Sequence, residues 1–286
     1  MKLIDGNAIA AQVRDELRED IEKEGIKPKL TAVLVGNNPA SAVYVRNKQK
    51  ACEEVGIDSE IIKLEDSISE KDLLEIIRGL NEDKKTNGII VQLPLPEQIS
   101  ENRVIEAIDP LKDVDGFHPI NMGFLLAGEP RFVPSTPQGI KELVLRSGYE
   151  FDGNHVVIVG RSNIVGKPLA ALLLCKDANA TVTVCHSHTK GLNEVTKEAD
   201  ILVAAIGRAG FIGEEMVKDG SIVIDVGINR IEDKTRKSGY RLVGDVDFDA
   251  VKDKVEAITP VPGGVGPMTV AMLLVNTVKA YKMQCE

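Results

Sequence analysis

A lysine, a glutamine and two aspartates are the residues whose placement points to chemistry. Residues 41–56, SAVYVRNKQKACEEVG, start at a serine, hold no internal Gly or Pro and stop at Gly56, which predicts a helix. At about 100° per residue, Arg46, Gln49, Lys50, Glu53 and Glu54 share one side and Tyr44, Ala51, Cys52 and Val55 the other. Lys48 falls among the apolar residues, four after Tyr44 and three before Ala51. Burial favours the unprotonated form of a lysine, which can then act as a base. The same placement also suits a lysine whose stem covers apolar surface while its head stays in water. Gln92 stands at the C-terminal end of GIIVQLPLP (88–96), where open α/β sheets bind ligands. Its neutral amide could orient a lysine without adding a charge, or be a polar strand-end residue. Asp113 and Asp115 follow in the KDVDGF loop, where Asp115 before Gly116 also reads as a turn former.

A second set of residues suits a dinucleotide. HVVIVGRSNIVGKPLA is strand, glycine turn and helix, with Gly160 ending the strand and Gly166 opening the helix. Glycine lets backbone approach a pyrophosphate, and a helix N-terminus favours its charge. Arg161 and Asn163 fill positions where G-x-G-x-x-G would carry glycine, so an ordinary βα turn is the competing reading. NAD-selective sites place a carboxylate at the tip of the second strand. Here that tip is VCHSHT (184–189), with no acid. Arg161, Ser187 and a protonated His188 suit the 2′-phosphate of NADP. TPVPGGVGPMT (259–269) adds a glycine-rich loop before the last helix, suited to close approach of backbone to a flat ligand.

The elements that must position these residues alternate along the chain. LTAVLVG (30–36), SEIIKLE (59–65) and GIIVQLPLP (88–96) read as strands, with helices around 41–55, 69–82 and 101–108. NHVVIVG (154–160), TVTVCHS (181–187), ILVAAIG (201–207) and SIVIDVG (221–227) form a second strand series, with helices near 166–176, 191–199 and 213–218. Both rhythms imply parallel sheets. Turn-rich segments at 109–123 and 128–139 mark the junction, and a long apolar helix runs from 266. The fold class is α/β with two domains. The first, residues 1–122 plus the returning C-terminal helix 266–286, is a three-layer βαβ domain. The second, 123–265, is Rossmann-like.

Composition narrows the function classes. Of 286 residues 43% are hydrophobic but only 3% aromatic, so the core is aliphatic. A net charge of −9 argues against nucleic acid and anionic membrane as partners. Four cysteines without C-x-x-C spacing suggest no metal site, no disulfide framework and a cytoplasmic protein. Neither a signal-peptide pattern nor an apolar run of membrane-spanning length is present.

Taken together, YVRNKQKACEEVGI (44–57), VQLPLP (91–96), KDVDGFHPIN (112–121), TPQG (136–139), VVIVGRSNIVGKP (156–168), IDVGIN (224–229) and PVPGGVGPMT (260–269) resemble the bifunctional methylenetetrahydrofolate dehydrogenase/methenyltetrahydrofolate cyclohydrolase family, in matching order from near residue 1 to about 280. The resemblance implies that Lys48 is the general acid/base of the cyclohydrolase step and that Gln92 tunes it. It implies that Tyr44 stacks on the aminobenzoyl group and that Asp115 hydrogen-bonds the pterin. The backbone of Val91, Gln92 and Leu93, and of Pro262, Gly263, Gly264, Val265 and Gly266, would line a folate cleft between the domains. Gly160, Arg161, Ser162, Ser187 and Ile228 would hold NADP. The family's homodimer, formed through the nucleotide domain, and its place in one-carbon metabolism are implied likewise. Two positions depart from the family pattern: Ser135 where Cys is common, and His188 where Lys or Arg is common. Without the resemblance, two rivals stand: a two-domain NADP dehydrogenase of a small hydroxy acid or ketone, and a non-catalytic NADP(H)-binding regulator.

Overall fold

The computed structural model describes residues 1–236 and 239–285. The chain divides into two compact units: a central unit of Met1–Ala10 with Thr136–Thr269, and an N-terminal unit of Ala11–Ser135 with the chain from Val270 onward. In chain order the elements are β1 (Lys2–Leu3), α1 (Gly6–Glu24), β2 (Lys29–Val35), α2 (Pro39–Val55), β3 (Asp58–Leu64), α3 (Glu70–Glu82), β4 (Gly88–Val91), α4 (Glu101–Ala107), α5 (Pro119–Leu126) and α6 (Ser135–Arg146). They continue with β5 (His155–Val159), α7 (Gly166–Leu173), β6 (Thr181–Cys185), α8 (Leu192–Thr196), β7 (Ile201–Ala204), a 3-10 turn at Glu214–Met216, β8 (Ile222–Asp225), β9 (Asn229–Glu232), β10 (Tyr240–Val243), α9 (Phe248–Val251), β11 (Ala257–Ile258) and α10 (Val265–Cys285).

The N-terminal unit is a parallel three-stranded sheet in the order β3-β2-β4. Strand β2, KLTAVLV, is buried from Leu30 to Val35 because it is central and covered on both faces. Alternation along it sorts the core. Leu30, Ala32 and Leu34 face Val45, Cys52 and Val55 of α2, Leu17 and Ile21 of α1, and Leu273, Leu274 and Val278 of α10. Val33 and Val35, on the other face, join Ile89 and Val91 of β4 to Leu73 and Ile77 of α3 and Val104 of α4. Helix, sheet and helix thus make three layers, and α10 from Val270 belongs to this unit, as the sequence predicts for the returning C-terminal helix. Glu286, assigned to that helix from sequence, lies outside the described residues.

The central unit is a parallel six-stranded sheet, β1-β11-β8-β7-β5-β6, with a separate antiparallel hairpin of β9 and β10. The chain leaves β5 for β6 on one side and then returns to β7 on the other. The C-terminal ends of β5 and β7 therefore form the switch point at which doubly wound sheets bind ligands.

The units part from the sequence boundaries in three places. Residues 1–10 join the central unit because β1 pairs in parallel with β11, with Ile4 N–H donating to Ile258 O at 2.9 Å. Residues 123–135 stay with the N-terminal unit, where Asn276 Nδ2 donates to Val133 O. The first turn of α10 stays with the central unit, where the Thr136 and Thr269 hydroxyls lie 3.0 Å apart. The segments 109–123 and 128–139, expected as turns, contain the starts of two helices. Helix α5 has Pro119 in its first turn and is capped by His118, whose Nδ1 accepts from Ile120 N–H; α6 has Pro137 in its first turn. Proline breaks a helix interior but not its first turn. Strand β4 ends at Val91 rather than running to Pro96, since prolines supply no ladder donor. The helix expected at 213–218 is a single 3-10 turn.

Candidate active site

In the N-terminal unit the lysine and glutamine meet. Lys48 Nζ donates to Gln92 Oε1 at 3.2 Å. Gln92 is fixed on both sides: its backbone N–H donates to Val33 O at 2.9 Å, and its Nε2 donates to Leu93 O at 2.8 Å. The amide nitrogen is thus engaged, and the oxygen is the end that faces Lys48. The Leu93–Pro94 peptide is cis. On α2 the buried stripe is Ser41, Val45, Ala51, Cys52 and Val55; Lys48 is half-buried and Tyr44 is 44% exposed. Tyr44, expected with the apolar residues, therefore lies at the margin of the stripe, with its ring free to meet a ligand. Burial pushes the Cys52 thiol up to about 12, so it packs as a small apolar group.

The two aspartates of KDVDGF separate into different roles. Asp113 is consumed by its own loop: its carboxylate accepts from His118 N–H at 2.8 Å, Asn121 Nδ2 at 2.8 Å and Phe117 N–H at 3.3 Å. Among the described residues no such cage forms around Asp115. Burial raises its carboxyl above the usual carboxylate range, while the charge of Lys48 pulls it down and that of Asp113 raises it. The loop is held from several directions. Ile89 of β4 donates to Lys112 O at 2.8 Å, and Asn276 Nδ2 on α10 donates to Val114 O at 2.9 Å. Gly116 has φ +74°, and a Cβ there would press on Pro134 N at 2.8 Å. Lys48, Gln92 and Asp115 are thus brought into mutual range by α2, the end of β4 and a braced loop.

In the central unit the glycine turn sits at the switch point. Gly160 has φ +134°, and a Cβ there would collide with Ala205 O, just past β7. A Cβ at Gly166 would collide with Gly160 O, so both glycines are needed for the turn to close onto α7. Ser162 Oγ accepts from Val165 N–H at 3.1 Å, and Arg161 and Ser162 are exposed. Strand β5 pairs with β6 in register Val159↔Cys185, and Gly160 N–H donates to Cys185 O at 2.9 Å. Arg161 and Ser187 therefore follow adjacent strand ends. The loop after β6 is ordered by His186 N–H donating to Thr189 Oγ1 at 2.9 Å and His188 N–H donating to His186 Nδ1 at 3.1 Å, with Ser187 and His188 exposed. This bare turn, cationic side chain and acid-free second tip fit a phosphorylated dinucleotide.

Also in the central unit, a cavity of about 360 Å³ is lined by Asn7, Asp225, Gly227, Ile228 and the loop Pro260–Pro267. It brings Ile228 beside Pro262, Gly263, Gly264, Val265 and Gly266. The loop is pinned by Asn7 N–H donating to Gly263 O at 3.1 Å, and a Cβ on Gly6 would collide with Gly264 O. Among the described residues, no group of three or more His, Cys, Asp or Glu is arranged to hold a metal ion, and no helix is long and apolar enough to cross a membrane.

Residues 4–115 match the family model described as tetrahydrofolate dehydrogenase/cyclohydrolase, catalytic domain, and residues 134–285 match that of its NAD(P)-binding domain. The chain belongs to the tetrahydrofolate dehydrogenase/cyclohydrolase family. A bifunctional protein FolD of Salinibacter ruber is 55% identical, over 99% of this chain and 96% of the relative. The crystal structure of a bifunctional FolD from Campylobacter jejuni superposes with a TM-score of 0.93 at 48% identity, covering 99% of both chains. The Trypanosoma brucei FolD, solved with NADP cofactor and an inhibitor, gives a TM-score of 0.93 at 39% identity, covering 99% of this chain and 98% of that one.

Several residues of this tetrahydrofolate dehydrogenase/cyclohydrolase carry structure that the sequence reading leaves unassigned. Asn121 and Asn276 are buried amides bracing the KDVDG loop, and Asp225 and Asp245 are buried acids beneath the cofactor-side loops. Burial pushes Asp225 up to about 6, with the neighbouring Asp245 adding to the rise and three backbone N–H donors opposing it. The IDVGIN motif contains Asp225, but nothing in its spacing announces Asp245, twenty residues on, as its partner.

Proposed function

We infer that this chain oxidises 5,10-methylenetetrahydrofolate to 5,10-methenyltetrahydrofolate with NADP⁺ and then hydrolyses that product to 10-formyltetrahydrofolate. The observation that carries the reading is the contact of Lys48 Nζ with the anchored Gln92 amide, with the half-buried Asp115 carboxyl within electrostatic range of Lys48. In the first step the C–H bond of the methylene breaks with loss of hydride, and the folate nitrogen lone pair forms the C=N bond. NADP⁺, when bound, supplies the hydride acceptor. Gly160, Arg161, Ser162, Ser187 and Ile228 would hold it, leaving the protein chiefly an alignment task. Tyr44 would lie against the aminobenzoyl ring, and Asp115 would accept hydrogen bonds from the pterin. The backbone at Val91, Leu93 and Pro262–Gly266 would contact the folate.

In the second step water adds to the methenyl carbon. Lys48, acting as a base in its unprotonated form, takes one proton from that water and returns it to the departing ring nitrogen as the C–N bond breaks, while the remaining hydroxyl proton is released to solvent as the formyl C=O forms. Gln92 keeps Nζ in place through an uncharged oxygen. An acidic chain with no membrane-spanning helix and no disulfide among the described residues fits a cytoplasmic enzyme, and we carry over the family's homodimer through the nucleotide domain.

The test is to incubate the protein with methylenetetrahydrofolate and either NADP⁺ or NAD⁺. Reduced cofactor and methenyl absorbance should rise faster with NADP⁺. Turnover with NAD⁺ alone would overturn the roles given to Arg161 and Ser187, and no turnover with either would favour a binding protein over an enzyme.

A further inference from the structure

The loops around the cofactor end of the central sheet converge on two buried carboxylates. Asp245, 0% exposed, receives four donors. Ile206 N–H and Gly207 N–H reach Oδ2 at 2.6 and 2.9 Å, while Arg208 N–H and Asn229 Nδ2 reach Oδ1 at 2.8 and 2.9 Å. Asp225, 4% exposed, receives three. Gly227 N–H and Asp245 N–H reach Oδ1 at 3.0 and 2.8 Å, and Val246 N–H reaches Oδ2 at 3.0 Å. Asp225 is itself tied down, its own N–H donating to Thr259 Oγ1 at 2.8 Å.

The two acids link three segments that share no strand ladder. Residues 206–208 leave β7, Gly227 and Ile228 leave β8, and 244–246 leave the hairpin. Because β5, β7 and β8 are parallel neighbours, the first two segments emerge at the same sheet edge as Gly160. The linkage admits no side chain: a Cβ on Gly227 would collide with Asp245 Oδ1, and one on Gly244 with Asp225 Oδ2. Burying two neighbouring carboxylates is expensive, and seven N–H donors are what offsets the cost. An apolar pair could fill the space but could not fix three loops by direction.

We propose that Asp225 and Asp245 form a paired-carboxylate clamp that sets loops 206–208 and 227–229 for the cofactor, making them positioning residues of the dehydrogenase step. The proposal rests on the NADP-dependent reading above. Asp245→Asn keeps the shape but turns an acceptor into a donor facing backbone N–H groups, so the 206–208 segment loses its anchor while Arg161 and Ser187 are untouched. Asn229→Ala removes one donor and keeps both acids.

The experiment is calorimetric titration of NADP⁺ into wild type and both variants, with the dehydrogenase KM for NADP⁺ and kcat measured separately and methenyltetrahydrofolate hydrolysis measured without cofactor. Asp245→Asn should raise Kd and KM for NADP⁺ at least about tenfold, with kcat at saturating cofactor and the cofactor-free hydrolysis changed by less than about twofold; Asn229→Ala should raise Kd by roughly two- to threefold. Unchanged Kd in both variants overturns the clamp, and so does an equal loss of affinity and of hydrolysis, which marks a general structural role. If Asp245→Asn shows no cooperative melt, Asn229→Ala decides: an unchanged Kd overturns the proposal. Failure of the wild type to bind NADP⁺ overturns the functional reading and this inference with it.

Discussion

At the scale of single residues, the site sets one carboxyl against the stability of its own unit. Burial raises the pKa of Asp115 in the folded protein. The folded state therefore holds its proton more tightly than the unfolded chain does, and ionisation costs stability as pH rises from the unfolded value through the folded one. Ionised, the side chain is a net cost to stability, which the proposed contact with substrate would account for. Asp115→Asn should melt no lower than wild type at pH 7, and higher if no acceptor is left facing another. It should also lose the acid limb of the dehydrogenase profile, which in wild type should lie above the range of an ordinary carboxylate because, in the proposed role, ionised Asp115 is the form that accepts from the pterin. Thermal melts and a pH–rate profile check both. A variant that melts lower and keeps the acid limb would show that Asp115 braces the loop instead of facing substrate. Asp113 and Asp115 illustrate why residue roles are only partly legible in the sequence. Both aspartates of KDVDGF look alike on paper, and only the cage formed by His118, Asn121 and Phe117 assigns Asp113 to structure.

At the scale of elements, the parallel strands and their crossover helices are readable because β2, β5, β7 and β8 are dominated by aliphatic residues and α3 is strongly amphipathic with its Ser69 cap. What escaped had weak local signals. Strands β1 and β11 are two residues each and exist only by pairing with partners far along the chain. The strands of the β9–β10 hairpin are four residues each with no buried position, and α5 hides behind Pro119. Helix α1 carries a plain apolar stripe, Ile9, Val13, Leu17 and Ile21, but it stands outside the alternating strand series, which starts only at β2.

The long helix α10 was legible as buried, but not its task of bracing the KDVDG loop through one amide. Asn276→Ala removes two hydrogen bonds and strips a donor from the buried Val114 and Val133 carbonyls. It should cost about 2–4 kcal/mol, seen as a fall of several degrees in Tm, together with a raised KM for folate because Asp115 is one residue from Val114. An unchanged Tm would show that the loop does not depend on α10.

At the scale of the whole molecule, the chemistry divides between two units of one family fold. The N-terminal unit carries the proposed proton-transfer residues, and the central unit carries the glycine turn and the proposed clamp. The sequence revealed this division through two separate strand series, but not its exchange of segments, since residues 1–10 and the start of α10 belong to the central unit by contacts with no local signature. A division of labour implies that the proton-transfer residue can be disabled while hydride transfer continues. The decisive measurement follows Lys48→Met with methylenetetrahydrofolate and NADP⁺, recording NADPH, methenyltetrahydrofolate and 10-formyltetrahydrofolate together. NADPH should still form, the methenyl product should accumulate with it, and enzymatic hydrolysis should fall about 10²- to 10⁴-fold. Hydrolysis at the wild-type rate in Lys48→Met would contradict the assignment of Lys48 as the base.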